Sequence, residues 1–149
     1  MIFIGVDPGM SGAIAILADG YVTLFPVPIQ DDVIDVNKIR SHLSYRSTSG
    51  IFAYIEMVWK PSKLVRIAGI LEGILLSEFI PVYRVAPSTW RKEILGNKNA
   101  TKEDAINYCM EHFSDVSLLR TNRSRIQDHN LAEALLIAEY AKRKHFVSD

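Results

Sequence analysis

The sequence predicts an α/β fold with a mixed five-stranded sheet flanked by helices, in which an antiparallel meander of three strands is followed by two parallel strands. Three observations predict it. The chain opens with three short β-prone runs separated by turn-forming residues. Two further apolar runs, Ile51 to Ile55 and Val82 to Val85, flank a long helical pattern. Most of the remaining chain carries helical spacing and capping residues.

Met1 to Val6 is an apolar run that reaches Asp7, and Pro8-Gly9-Met10-Ser11-Gly12 supplies the turn after it. Ala13 to Leu17 reads as the second strand. Asp19-Gly20 is a hairpin dipeptide because both residues accept positive φ, and Tyr21 to Phe25 follows as the third strand before Pro26 and Pro28 end the meander. Val33, Val36, Ile39 and Leu43 share one face at helical spacing, which predicts a helix from Val33 to Leu43. Ile51 to Ile55 is compact enough for a buried parallel strand, with Glu56 at its carboxyl end. From Ser62 to Phe79 the stripe Leu64, Ile67, Ala68, Leu71, Ile74 and Leu75 predicts a long helix, on which Gly69 and Gly73 permit close packing. Val82 to Val85 is the last strand. Ser88 is placed to cap a short helix ending near Leu95, and Thr101 caps another to about Phe113, with Asp104 in capping-box position. After a basic loop from Leu119 to Gln127, Asp128 is a good N-cap for a final helix from His129 to Lys144.

The 149 residues suit one domain, 1–149, with one core. A content of 48% hydrophobic and 23% charged residues fits a soluble globular protein and excludes disordered and collagen-like classes. Cys109 is the only cysteine, so neither an internal disulfide nor a cysteine-based metal site is expected. No basic leader precedes Asp7, and no apolar run is long enough for a bilayer. A cytoplasmic protein with no membrane partner is expected. The formal net charge is zero, which weighs against coating nucleic acid by bulk charge. The basic residues nevertheless cluster at Lys60, Lys63 and Arg66, at Arg91, Lys92, Lys98 and Lys102, at Arg120, Arg123 and Arg125, and at Lys142, Arg143 and Lys144. Each cluster is either a solvated surface or part of a phosphate-binding face.

Three acidic residues stand where their surroundings do not require a charge. Asp7 ends an apolar strand, and so either starts the Pro-Gly turn or lies at the sheet rim where α/β proteins bind ligands. Glu56 repeats that position on a second strand. If these strands are neighbours, the two carboxylates raise each other's pKa unless a cation lies between them. Glu133 sits in DHNLAEALLIAEY, where Leu131, Ala134, Leu135 and Ala138 form a face that must enter the core. Its alternative role is to stabilise the helix N-terminus as a half-exposed glutamate.

IGVDPGMSGAIA at the start, YIE after a central strand and DHNLAEALLIAEY on the last helix occur in the order and spacing of RuvC-like Holliday junction resolvases. The chain resembles that family over almost its whole length, and Val85-Ala86-Pro87-Ser88-Thr89-Trp90-Arg91-Lys92 is similar to a segment of its phage members. The resemblance implies an RNase H-like fold and a DNA endonuclease that resolves four-way and branched DNA with two magnesium ions per site, manganese substituting. It implies nicks with 5′ phosphates. By the same resemblance Asp7 is the ligand shared by both metals, and Glu56 and Glu133 lie on either side of the pair. The sequence departs from the family at Asn130, where a carboxylate or histidine usually stands three residues before the last acid. Asp128 is taken as the fourth metal ligand and His129 as a proton carrier or further ligand.

In the same family the segment after the strand-end glutamate lies near the junction. That implies DNA contacts by Lys60, Lys63 and Arg66, with Arg120, Arg123 and Arg125 doing likewise from the loop before the last helix. Trp59 is placed to stack on a base, unless it is buried. Symmetric cutting of a junction needs two sites, so a homodimer is expected, with the glycine-containing long helix as its interface; no nucleotide cofactor is expected. Three other functions share parts of this pattern: a nuclease of the same fold acting on flaps, forks or RNA–DNA hybrids, a catalytically inactive junction-binding protein, and an actin-like phosphotransferase fragment. The last lacks a second glycine-rich phosphate loop.

Overall fold

The computed structural model describes residues 1–44 and 50–146. Its main sheet has five strands: β1 (Ile2–Asp7), β2 (Ala13–Ala18), β3 (Tyr21–Pro26), β6 (Ile51–Glu56) and β7 (Val82–Val85). Their order across the sheet is β3-β2-β1-β6-β7. The meander β1–β2–β3 is antiparallel, while β6 and β7 run parallel to β1. The expected mixed sheet of three meander strands and two parallel strands is therefore present.

Strand alternation sorts the residues of β1 between two cores. Ile2, Ile4 and Val6 face a core shared with α1 (Val36–His42) and α2 (Ser62–Ser77). Phe3 faces the other core, shared with α3 (Pro87–Leu95), α4 (Lys102–His112) and α5 (His129–His145). Gly5 and Asp7 continue the row of Phe3. Helix α5 runs beneath α3 and α4 against the sheet, so from Leu131 to Ala138 every residue is buried. A helix apolar on all sides is what such a central layer requires.

Gly5 sets how closely α5 approaches. A Cβ built there would stand 2.2 Å from the Ala134 carbonyl oxygen and 2.3 Å from the Ala138 nitrogen, so only glycine lets the helix backbone rest on β1. Gly12 closes the turn after β1 in a similar way, since a Cβ there would lie 2.1 Å from the Asp7 carbonyl oxygen.

Three local features differ from the sequence expectation. The helix expected from Val33 begins at Val36, because Asp35 accepts a bond from the Lys38 amide and caps it there, and Val33–Ile34 instead pairs as β5 with β4 (Ile29–Gln30). Ala86, not Ser88, is the N-cap of α3, with Pro87 as its first residue, where a missing N–H costs nothing. Helix α2 stops at Ser77 rather than Phe79, which has φ of 59°. The capping box at Thr101 and Asp104 is present in both directions, at 3.2 and 2.7 Å.

Candidate active site

The register of β1 and β6 sets Val6 opposite Ile55, so the next step brings Asp7 and Glu56 side by side at the carboxyl edge of the sheet. Because α5 crosses β1 at Gly5 through Ala134 and Ala138, the preceding turn of the helix carries Glu133 to the same edge. Asp7 and Glu133 are the buried charged residues of the described chain, at 7% and 5% exposure. Asp128 arrives as the cap of α5, its Oδ1 accepting from the amides of Asn130 at 2.8 Å and Leu131 at 3.2 Å. Four carboxylates thus approach from β1, β6 and the start of α5.

Their electrostatics record this closeness. Burial holds the Asp7 carboxyl well above the usual carboxylate range, and the charges of Glu133, Glu56 and Asp128 push it further, against a pull from Arg91. Burial also raises Glu56, opposed by its hydrogen bond from Trp90 and supported by the charge of Glu133. Asp128 goes the other way: burial resists its ionisation, but Arg120 and the two capping amides outweigh it and hold the carboxyl low. Carboxylates that cannot all ionise together at low energy are a site for a cation.

Three side chains orient these acids, a role the sequence reading gave to none of them. Trp90, fully buried on α3, donates its indole N–H to Glu56 Oε2 at 2.7 Å. The next residue, Arg91, donates to Glu133 Oε1 at 2.9 Å. The signal for both was the stretch from Val85 to Lys92, which drew notice only as a resemblance. Arg120 donates both to Asp128 Oδ2 at 3.0 Å and to the Ser11 carbonyl at 2.9 Å, tying the cap of α5 to the turn after Asp7.

Asp7 Oδ2 is the one buried side-chain oxygen or nitrogen among the described residues with no hydrogen-bond partner. With it, the donors at this edge are all carboxylate oxygens, the hard ligands that magnesium and manganese prefer, so the residues fit a divalent cation. They are not drawn into a closed cage: among the described residues no three His, Cys, Asp or Glu side chains are grouped as ligands. Arginines hold Glu133 and Asp128, and Trp90 holds Glu56.

Of the other expected residues, His129 is half-buried in the first turn of α5 beside Asp128, and Asn130 faces a cleft of about 340 Å³ next to the turn after β1. Lys63 lines that cleft too, while Lys60 and Arg66 are exposed nearby at the start of α2. Arg123 and Arg125 are exposed on the loop before α5, whereas Arg120 is turned inward to Asp128. Trp59 is 64% exposed, so it is not a core residue.

No protein-family profile matches the sequence, and no curated protein matches it. Solved structures do. The RuvC structure from Thermus thermophilus aligns over 97% of this chain and 96% of its own, with a TM-score of 0.61 at 18% identity. The chain has the RuvC fold. The Thermus thermophilus RuvC in complex with Holliday junction substrate aligns over 93% of this chain and 90% of its own, with a TM-score of 0.58 at 18% identity. The Holliday junction resolvase of fowlpox virus covers 96% of this chain and 99% of its own, with a TM-score of 0.56 at 16% identity. In this RuvC fold the acidic edge lies at the carboxyl ends of β1 and β6.

Proposed function

We propose that this chain is a divalent-metal-dependent DNA endonuclease that resolves Holliday junctions as a homodimer. The observation that carries the reading is the convergence of Asp7, Glu56, Asp128 and Glu133 on one sheet edge, with a buried Asp7 oxygen that has no partner among the described residues. The RuvC fold and the order of the three acidic motifs support it.

Asp7, Glu56, Asp128 and Glu133 would hold the metal pair. When bound, the ions supply Lewis-acid activation of water and neutralise charge at the leaving 3′ oxygen, which leaves a 5′ phosphate. The residues of the chain do the rest. Trp90 and Arg91 fix the orientation of Glu56 and Glu133, and Arg120 fixes Asp128. His129, on the first turn of α5, is a proton carrier at the same edge. Lys60, Lys63, Arg66, Arg123 and Arg125 are exposed cations around it and contact backbone phosphates. Trp59 offers an exposed ring for base stacking beside Glu56.

The test is a synthetic immobile four-way junction incubated with magnesium, using Asp7→Asn as control. Paired nicks bearing 5′ phosphates, absent in the variant, are expected. Binding without cleavage by the unmodified protein would remove the enzyme reading. Cutting of flaps far faster than junctions would remove the resolvase reading and leave a nuclease of the same fold.

A further inference from the structure

Of the polar residues that open α5, Asn130 alone has no part in the proposed reaction. Its backbone is committed, since the amide donates to Asp128 Oδ1 at 2.8 Å as part of the helix cap. Its carboxamide is not: half-buried, it has no hydrogen-bond partner among the described residues. Asn130 precedes Glu133 by three residues, so it lies on the same face of α5, nearly one turn earlier. An uncommitted donor and acceptor therefore stand next to the acidic edge.

The carboxamide faces the cleft of about 340 Å³ between the turn after β1 and the start of α2. Pro8, Met10, Leu64 and Ile67 give it apolar walls, and Lys63 lines it with an exposed cation. Bonds within the chain fix these walls. The Gly12 amide donates to the Gly9 carbonyl at 3.1 Å, Arg120 donates to the Ser11 carbonyl at 2.9 Å, and the Leu64 amide donates to the Pro61 carbonyl at 2.9 Å. Turn and helix come together at one end, where a Cβ on Gly9 would lie 3.4 Å from Leu64 Cδ1. Pro8 directly follows Asp7, so the cleft adjoins the carboxylates.

The size and chemistry of the cleft select one occupant. A cavity of about 150 Å³ already holds benzene, so a base of one or two rings has room. Apolar walls suit the faces of a base, a planar carboxamide suits its edge, and a lysine suits the phosphate attached to it. An apolar side chain or small molecule would use the walls and leave both Asn130 and Lys63 idle. We infer that this cleft receives one nucleobase of the strand being cut, turned out of its stack beside the acidic edge, its edge paired with the Asn130 carboxamide and its phosphate against Lys63. The subsite deepens the proposed function, and selectivity in cutting rests on that reading. Cutting then depends on the base at one position as well as on branched shape. Extrusion is least costly where pairing is already interrupted, so the subsite also favours a branch point.

Two measurements on the full chain test this. In the first, junctions carrying 2-aminopurine at successive positions of the cut strand are bound without metal. No aromatic side chain among the described residues lines the cleft, so the probe is expected to brighten at one position, whereas stacking on Trp59 would quench it. In the second, all four bases are placed at that position and cutting is followed in magnesium. Adenine, the base an asparagine carboxamide pairs through two bonds, is expected to be preferred by roughly tenfold to hundredfold. Asn130→Ala, and Asn130→Leu of similar size, should abolish both the brightening and the preference while melting as the unmodified protein does. Lys63→Gln should weaken binding to every sequence alike and lower its salt dependence by about one ion. A protein that cuts all four junctions equally, or brightens the probe at no position, overturns the inference and leaves the nuclease. Asn130→Ala that melts well below the unmodified protein, or that loses cutting equally for every base and recovers in excess magnesium, assigns the carboxamide to the fold or the cation and also overturns it. Brightening that requires Asn130 in a protein that never cuts overturns the nuclease reading and leaves the base subsite standing.

Discussion

The two ends of β1, β6 and α5 are built from the same three elements and differ in every physical respect. At the carboxyl edge of the strands, Asp7, Glu56 and Glu133 are buried or nearly so, mutually repelling, and one Asp7 oxygen lacks a partner among the described residues. At the opposite edge, His145 stacks on Phe52 with ring centroids 3.8 Å apart, Phe52 lies 6.2 Å from Phe3, and Tyr54 and Tyr83 stack at 5.1 Å. One end of the layer stores unfavourable charge, and the other supplies stacked rings that hold the layer together. A binding site can remain electrostatically costly when the same helix is anchored elsewhere.

That contrast can be broken in four ways. Asp7→Asn should lower junction cleavage by at least about 10²–10³-fold, the scale of losing one electrostatic group at a reacting centre, with junction binding retained. The same variant should melt roughly 3–5 °C higher at neutral pH, equivalent to about 1 kcal/mol in a chain of this size, because the disfavoured charge is gone. An unchanged cleavage rate would show that the acidic edge is not the chemical end. Gly5→Ala tests the element common to both ends. With its Cβ against the α5 backbone, it should cost about 3 kcal/mol or more in chemical denaturation and weaken cleavage through displacement of Glu133.

Phe52→Ala acts on the aromatic end alone. It should cost about 1–3 kcal/mol of stability while leaving the cleavage rate of the folded protein unaltered, and a matching fall in that rate would join the two ends functionally. The smallest effect is a pair of opposed pH slopes, measured by denaturation at a series of pH values. Asp7 has its pKa raised on folding, so its contribution is complete below the ordinary carboxylate pKa of about 3.9 and is lost as pH rises through the folded value. His145 has its pKa lowered by burial, so its contribution is complete above about 6.5 and is lost as pH falls toward the folded value. Asp7→Asn should flatten the first slope, to which Glu56 also contributes, and His145→Gln the second, to which His42 also contributes.

What could be read from the sequence follows the range of the interactions involved. Strand alternation and turn residues act over a few positions, so all five strands of the main sheet, Asp7 at the end of β1 and Glu56 at the end of β6 were legible. Asp128 was legible as a cap because capping is a contact between residues two and three apart. Trp90 on Glu56 and Arg91 on Glu133 were not, since they join residues 34 and 42 positions apart, α3 to the end of β6 and α3 to α5. The two-residue strands β4 and β5 are too short to show a period, and Asp35 competed successfully for the start of α1. Arg120 carried the right charge for phosphate contact, but nothing local shows that its side chain turns to Asp128 and the Ser11 carbonyl.

The absent side chain of Gly5 acts as a depth gauge for the molecule. Two positions along β1 from Asp7 and one position along α5 from Glu133, a single hydrogen sets how far the helix sinks toward the strand. The tolerance on the spacing of two acids therefore belongs to a residue with no chemistry of its own. In this chain a single added methyl group there would shift an acid that it never touches.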